Sequence, residues 1–312
     1  MKVYYNIPDV PLINNPVVTI GTFDGVHTGH VEILELLKKI GHQINGETVI
    51  ITFHRHPRKV LYPDDDSLKM LTSLEEKLQL FEQRGIDHVL ILTFGKDISQ
   101  LEPEDFVKDI LVNGMGAKHL VIGHDHRFGK NRKGDFNTML QLAKVYNFEV
   151  REIPPFLVEG ITVSSTKIRN ALTIDNNLQK ANHLLGRKYS LSGKVVIGNQ
   201  NGHKLGFPTC NLFIKDNSKL IPANGVYAAI ASVAGKQMQA VVNIGNRPTF
   251  NLTGTVVEAH LLNFEGDLYG EELTLQFIER LRDEQKFESL DALKIQIGKD
   301  IAIAEKIFAN TI

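Results

Sequence analysis

The feature that most restricts the fold of this chain is a change of pattern near Gly186. Before it, short apolar runs alternate with helical stretches; after it, strand-like runs follow one another with no helix between them. Residues 17–20, 48–53 (TVIITF), 87–94 (DHVLILTF), 119–122 (HLVI) and 148–153 (FEVREI) read as strands. Residues 74–83, 103–112 and 138–146 carry helical spacing between them. Near-continuous apolar strands separated by amphipathic helices indicate a parallel sheet covered on both faces. From residue 189 the runs YSLSGKVVIG, TCNLFI, GVYAAIASVAG, KQMQAVVNIG, TVVEAHLLNF and EELTLQFIERL are bounded by Gly, Asn and Pro, which indicates an antiparallel barrel. Residues 289–310 add a long helical pattern. The expected organisation is an α/β domain over residues 1–185, then a six-stranded antiparallel β-barrel domain over residues 186–312 with a C-terminal helix.

Composition allows this and narrows the function. A chain of 312 residues can bury two cores, and 42% hydrophobic with 23% charged residues is ordinary for a soluble globular protein. A net charge of -1 gives no electrostatic footprint for nucleic acid or a membrane surface. A single cysteine, Cys210, excludes an internal disulfide and fits a reducing compartment. No apolar run approaches the roughly 18 residues of a spanning helix, and the start lacks the apolar core of a signal peptide. The expectation is a soluble, cytoplasmic protein with no nucleic acid, membrane or obligate protein partner.

In a parallel α/β sheet ligands bind beyond the carboxyl ends of the strands, so the residues after each strand are the ones to inspect. The first such stretch is VTIGTFDGVHTGHVEILELL, residues 18–37. A strand runs through Gly21, Phe23, Asp24 and Gly25 into a helix start bearing His27, Gly29 and His30 in the order H-x-G-H. Free N–H groups and the helix dipole at such a junction suit phosphate, and a spacing of three puts both imidazoles on one helix face. Next come HRHPRKVL with His54 and His56, GHDHRFGKNRKGD with His124, Asp125 and His126, and VSSTKIRNAL with Ser164, Ser165, Thr166 and Arg169. Hydroxyls and a guanidinium suit phosphate oxygens. Each feature also has an ordinary explanation: a capping histidine pair, an N-cap, a solvated basic turn. The pairs His54/His56 and His124/His126 also admit a zinc hydrolase reading, with Asp24 and Asp125 as carboxylates.

In the second half, GNQNGHKLGFPTCN places Gly198, Gly202 and Gly206 four residues apart, then Pro208, Thr209 and Asn211. The glycines alone fit a hairpin loop equally well. Thr209 and Asn211 are separated by two, so on an extended segment both oxygens point the same way and form a partial set for Mg2+. In TVVEAHLLNF, Glu258 and His260 share the strand face opposite Val257, Ala259 and Leu261.

GTFDGVHTGH resembles the opening motif of the bacterial FAD synthetase domain, a Rossmann-like H-x-G-H nucleotidyltransferase. IGHDHRFGKNRKGD is similar to that family's G-x-D-F-R-F-G segment, VSSTKIR to its S-S-T-x-I-R segment, and TFHRHPRKVL to its T-F-x-P-H-P element. His126 stands where that family usually has Phe, and Arg55 where it usually has Pro. In the second half, residues 198–211, 243–250 and the stretch around Glu258 resemble the G-x-x-x-G-x-x-x-G-F-P-T-x-N, N-I-G-x-R-P-T-F and V-E-x-H-L-L-D-F elements of bacterial riboflavin kinases, with Cys210 at a common Ala position. GDLYG and LRDEQKF match further elements of that family.

The resemblance implies two reactions. In the first domain FMN attacks the α-phosphorus of ATP to give FAD and pyrophosphate. There His27 and His30 would stabilise the α-phosphate, Arg169 with Ser164, Ser165 and Thr166 would hold the leaving phosphates, and Asp24 and Asp125 would contact nucleotide or metal-bound water. In the second domain the γ-phosphate of ATP passes to riboflavin. There Glu258 would act as base, Thr209 and Asn211 would hold Mg2+, and the loop from Gly198 to Gly206 would approach the phosphates. Two rivals remain open: a zinc hydrolase, and a flavin carrier that consumes no ATP.

Overall fold

A computed structural model describes residues 1–65, 67–197, 206–246 and 255–311. The chain divides into two compact units, Met1–Ser165 and Thr166–Ile312.

The first unit runs β1 (Lys2–Tyr4), β2 (Val17–Ile20), α1 (Thr28–Ile44), β3 (Thr48–Phe53), α2 (Pro57–Leu61), α3 (Leu74–Gln83), β4 (His88–Leu92), α4 (Lys96–Ser99), α5 (Pro103–Phe106), β5 (His119–Gly123), α6 (Phe136–Tyr146) and β6 (Glu149–Ile153). A short hairpin, β7 (Leu157–Val158) and β8 (Ile161–Thr162), follows. The sheet order is β1-β4-β3-β2-β5-β6 and every pairing is parallel. Alternate strand residues serve opposite faces. Val18, Ile20, Val49, Ile51, Leu120 and Ile122 pack with Phe106, Ile110 and Met139 on one side. On the other, Val17, Ile50, Val89 and Val121 pack with Leu34, Leu37, Ile40 and Phe81 of α1 and α3.

Local chemistry sets the helix ends. Ser73 and Glu76 form a reciprocal capping box at α3, and Asp135 accepts from Thr138 N at α6. Asn45 and Asn147 end α1 and α6 in the left-handed conformation. The helix expected over 103–112 is instead a short α turn, α5, followed by a π-helical stretch, Val107–Gly114. Val107, Ile110 and Leu111 of this stretch are buried, and apolar spacing does not separate the two helix types.

The second unit holds most of α7 (Ser165–Thr173), then α8 (Leu178–Leu185) and the strands β9 (Ser190–Val196), β10 (Cys210–Phe213), β11 (Gly225–Val233), β12 (Lys236–Asn246), β13 (Thr255–Leu261) and β14 (Glu272–Arg282). These six close into a barrel in the order β10-β13-β12-β11-β14-β9, all pairs antiparallel. Closure removes free sheet edges. Asn182 of α8 donates to Phe277 O at 3.1 Å and accepts from Tyr189 N at 2.7 Å, tying α8 to the barrel. The last helix, α9 (Leu290–Thr311), lays Ala304 and Phe308 on Val226, Ala228 and Val241 of the barrel wall. Among the described residues no helix is long and apolar enough to cross a membrane.

Candidate functional site

The strand order reverses direction at β2: β3 and β4 were laid to one side of it, β5 and β6 to the other. The crevice at such a switch point is where open α/β sheets bind ligands. The carboxyl end of β2 leads into the 21–30 turn, and that of β5 leads into the 123–129 loop. A Cβ on Gly123 would lie 3.8 Å from Ile33 of α1, so this loop starts beside the first turns of that helix.

His27 is not inside α1, as the spacing of three suggested, but is its N-cap. Its Nδ1 accepts from His30 N at 3.3 Å, which puts the proton of the neutral ring on Nε2. The two imidazoles stack, with centroids 3.6 Å apart and planes 14° apart. Phe23 meets His30 edge-on at 5.1 Å and Phe81 of α3 at 5.6 Å, wedging the second histidine against the core. Gly21 leaves room for the Phe23 ring, which a Cβ there would approach to 3.1 Å, and Gly29 lies under the His27 ring.

Asp24 is 2% exposed, and its Oδ1 accepts from Leu71 N and Thr72 N at 2.9 and 3.2 Å. Through these bonds its buried side chain braces the turn. Ser165 donates from Oγ to Asp24 O at 2.9 Å, which brings the S-S-T segment to the turn. Ser164 directly precedes α7, while Thr166 and Arg169 lie within α7 and belong to the second unit.

In the 123–129 loop His124 and Asp125 are exposed. The Nε2 of His126 is buried and finds no hydrogen-bond partner among the described residues. Its ring stacks near Phe128 at 6.0 Å. Burial pushes its pKa down from 6.5 to about 4; the Asp125 carboxylate opposes the shift and Arg132 reinforces it. His56 caps α2 through Nδ1, accepting from Arg58 N at 3.1 Å, and His54 is exposed. Among the described residues no three His, Cys, Asp or Glu side chains gather as a metal centre requires.

The second cluster lies on the barrel. Glu258 of β13 stands directly opposite Asn211 of β10 on one side and Asn243 of β12 on the other. Residues opposite one another in an antiparallel pair project to the same face, so the three make one transverse polar row. Their neighbours Leu212, Val257, Ala259, Val242 and Ile244 are buried and point the other way. His260, two residues along, engages Pro208 O through Nδ1 at 2.7 Å and meets the Phe207 ring edge-on at 5.7 Å. It thereby fixes the segment that carries Thr209 and Asn211. Gly206 has φ +84°, and Gly198 and Gly202 lie outside the described residues. Cys210 faces the barrel interior, donates to Ala259 O at 3.4 Å, and has its thiol pushed up to about 11 by burial.

Sequence reading placed Asn243 in a family element without giving it a role, and did not single out Lys77 or Thr72. The place of Asn243 opposite Glu258 was legible only once the β12–β13 register was known. The two others act from a distant segment onto the 22–25 turn, as described below.

Two family patterns match the chain: FAD synthetase over residues 11–167 and Riboflavin kinase over residues 185–308. A bifunctional riboflavin kinase/FMN adenylyltransferase of Buchnera aphidicola subsp. Schizaphis graminum is 39% identical, covering 99% of each chain. The chain belongs to the bifunctional riboflavin kinase/FMN adenylyltransferase family. The Escherichia coli K12 relative of the same description is 37% identical over 95% of this chain and 93% of its own. As in the sequence expectation, the FAD synthetase domain comes first and the riboflavin kinase domain second. A solved Streptococcus pneumoniae structure, described as a macrolide-efflux protein, superposes with a TM-score of 0.89 at 29% identity, covering 97% of this chain and 98% of its own. The stacked histidine turn thus falls in the FAD synthetase domain, and the Asn211–Glu258–Asn243 row in the riboflavin kinase domain.

Proposed function

We propose that riboflavin is phosphorylated at the Glu258 row and that the resulting FMN is adenylylated at the His27–His30 turn. The observation that carries the reading is the pair of stacked imidazoles at the start of a 17-residue helix, placed at the strand-order switch. Nucleotidyl transfer asks the protein for in-line placement and neutralisation of developing charge rather than covalent help. His27 donates from Nε2–H, and His30 and the first N–H groups of α1 add to it, where negative charge grows on the α-phosphate. Ser164, Ser165, Thr166 and Arg169 bind the β- and γ-phosphates that leave as pyrophosphate. Gly21 and Gly29 keep the backbone open to close approach. Phe23 and Asp24 hold the turn, and Asp125 contacts nucleotide at the mouth of the crevice.

In the barrel Glu258 accepts the proton of the attacking riboflavin hydroxyl. Neutral oxygens from Thr209 and Asn211 beside a carboxylate form a hard donor set that fits Mg2+. Bound there with ATP, Mg2+ would offset phosphate charge. Gly198, Gly202, Gly206 and Pro208 shape the loop on which the nucleotide rests. We place the division of the two domains at residues 185/186, supported by the start of the riboflavin kinase match at residue 185. A cytoplasmic location is supported by the single cysteine.

The test is to incubate the protein with riboflavin, ATP and Mg2+ and separate the flavins by chromatography. FMN is expected first and FAD after it. Flavin that binds but emerges unchanged contradicts the reading and favours a carrier.

A further inference from the structure

The turn between β2 and α1 is held in a conformation its residues do not favour. Phe23 has φ 49° and Val26 φ 37°. Both angles lie in the left-handed region, and for β-branched Val this is a genuine outlier. Such strain persists only where the surroundings over-determine it, and it concentrates at functional sites.

Here the surroundings come largely from one stretch, Leu71 to Lys77, which leads into α3. Leu71 N and Thr72 N bind Asp24 Oδ1 as described, and Thr72 Oγ1 accepts from Gly25 N at 3.0 Å. Lys77 reaches through the interior, donating from Nζ to Thr22 O at 3.1 Å and to Thr52 Oγ1 at 3.0 Å. It is 7% exposed, Thr52 is fully buried, and Asp24 is the nearby countercharge. Burial lowers the lysine to about 8 against the pull of Asp24. An apolar side chain of the same length would fill this space at less cost. What the ammonium adds is a direct grip on the carbonyl of Thr22, at the entry to the strained residues.

We propose that Lys77 and Thr72 are positioning residues for adenylyl transfer: they clamp residues 22–25 so that His27 and His30 meet the α-phosphate. This rests on the reading of the turn as the adenylyl-transfer site. The clamp touches no substrate. It acts through backbone groups on both sides of Phe23, and a displacement of about 1 Å at a catalytic group is enough to cost roughly a hundredfold in rate.

The experiment uses the full chain with Lys77→Met, Thr72→Val and Thr72→Ser, and His30→Ala alongside. For each, kcat and KM of FMN adenylylation are measured, together with the riboflavin kinase rate and the thermal melt of the same preparation. Lys77→Met and Thr72→Val are expected to lose about tenfold to a hundredfold in adenylylation kcat, with KM for ATP changed less than about threefold and the kinase rate retained. Thr72→Ser keeps the hydroxyl and gives up a methyl, so it should recover most of the rate. A packing role predicts the reverse order, with Val near wild type and Ser impaired, and that order overturns the proposal. So does wild-type kcat in Lys77→Met and Thr72→Val, or a loss that only follows the unfolded fraction. If Lys77→Met does not fold, the Val and Ser pair at position 72 decides. His30→Ala separates the two levels of the claim. If it too adenylylates normally, the turn is not the reacting site and the reading beneath the proposal fails. If it is inactive while the other variants are normal, only the clamp fails.

Discussion

On the proposed reading, His27 serves fold and chemistry with one side chain. Its Nδ1 caps α1, and that bond assigns the proton of the neutral ring to Nε2, the donor that the proposed reaction needs at the phosphate. His27→Asn separates the two roles, because Asn caps about as well as any residue but lacks the imidazole. The melting temperature should stay close to wild type while adenylylation falls by about 10²–10³-fold. His27→Ala should fall as far and also lose about 1 kcal/mol of stability from the missing cap.

His126 makes a different prediction, from pH. The unfolded chain takes up a proton as pH falls through 6.5, whereas the folded chain resists until about 4. Stability therefore drops as pH is lowered across that window. Between pH 7 and 5, urea melts of His126→Phe should lose roughly 1–2 kcal/mol less than wild type. At this level the sequence singled out residues but not the contacts they make in the fold. Asp24 was legible as part of the motif. That its carboxylate serves buried N–H groups of Leu71 and Thr72 was not, because those residues lie far along the chain.

Among the elements, strands were the easiest to read. The runs at 48–53 and 119–122 are almost wholly apolar because both of their faces are covered, and the barrel runs alternate because one face meets solvent. The edge strand β1, the β7–β8 hairpin and the π-helical stretch escaped, the first two being too short to show periodicity. Register was invisible throughout, which is why Asn243 was not set beside Glu258.

The attachment of α9 also depends on a pairing that no local pattern shows. Asp300, 2% exposed, receives Arg282 Nε at 2.9 Å and Nη2 at 2.8 Å, with Gln296 adding a third donor at 2.8 Å. Removing the carboxylate leaves a half-buried guanidinium without its countercharge. Asp300→Ala should destabilise the riboflavin kinase domain by about 3 kcal/mol, read as a lower denaturation midpoint, with FMN adenylylation preserved at temperatures where both domains are folded.

At the scale of the whole molecule the account is that one chain carries two reactions on two separate clusters. The change of pattern near Gly186 announced two architectures, and the structure shows a parallel sheet and a closed barrel. The assignment of a reaction to each came from motifs that resemble two known families, and these are legible because their residues lie close in sequence. Lys77, which reaches Thr22 O, and Asn243, which lies opposite Glu258, come from other elements, and only the folded chain brings them in. The most direct test is a crossed assay of His30→Ala and Glu258→Ala, each given riboflavin with ATP in one reaction and FMN with ATP in the other. His30→Ala should make FMN from riboflavin and stop there, and Glu258→Ala should leave riboflavin untouched yet convert FMN to FAD. If either variant, still folded by its melt, loses both reactions to the same degree, the two-site account is contradicted.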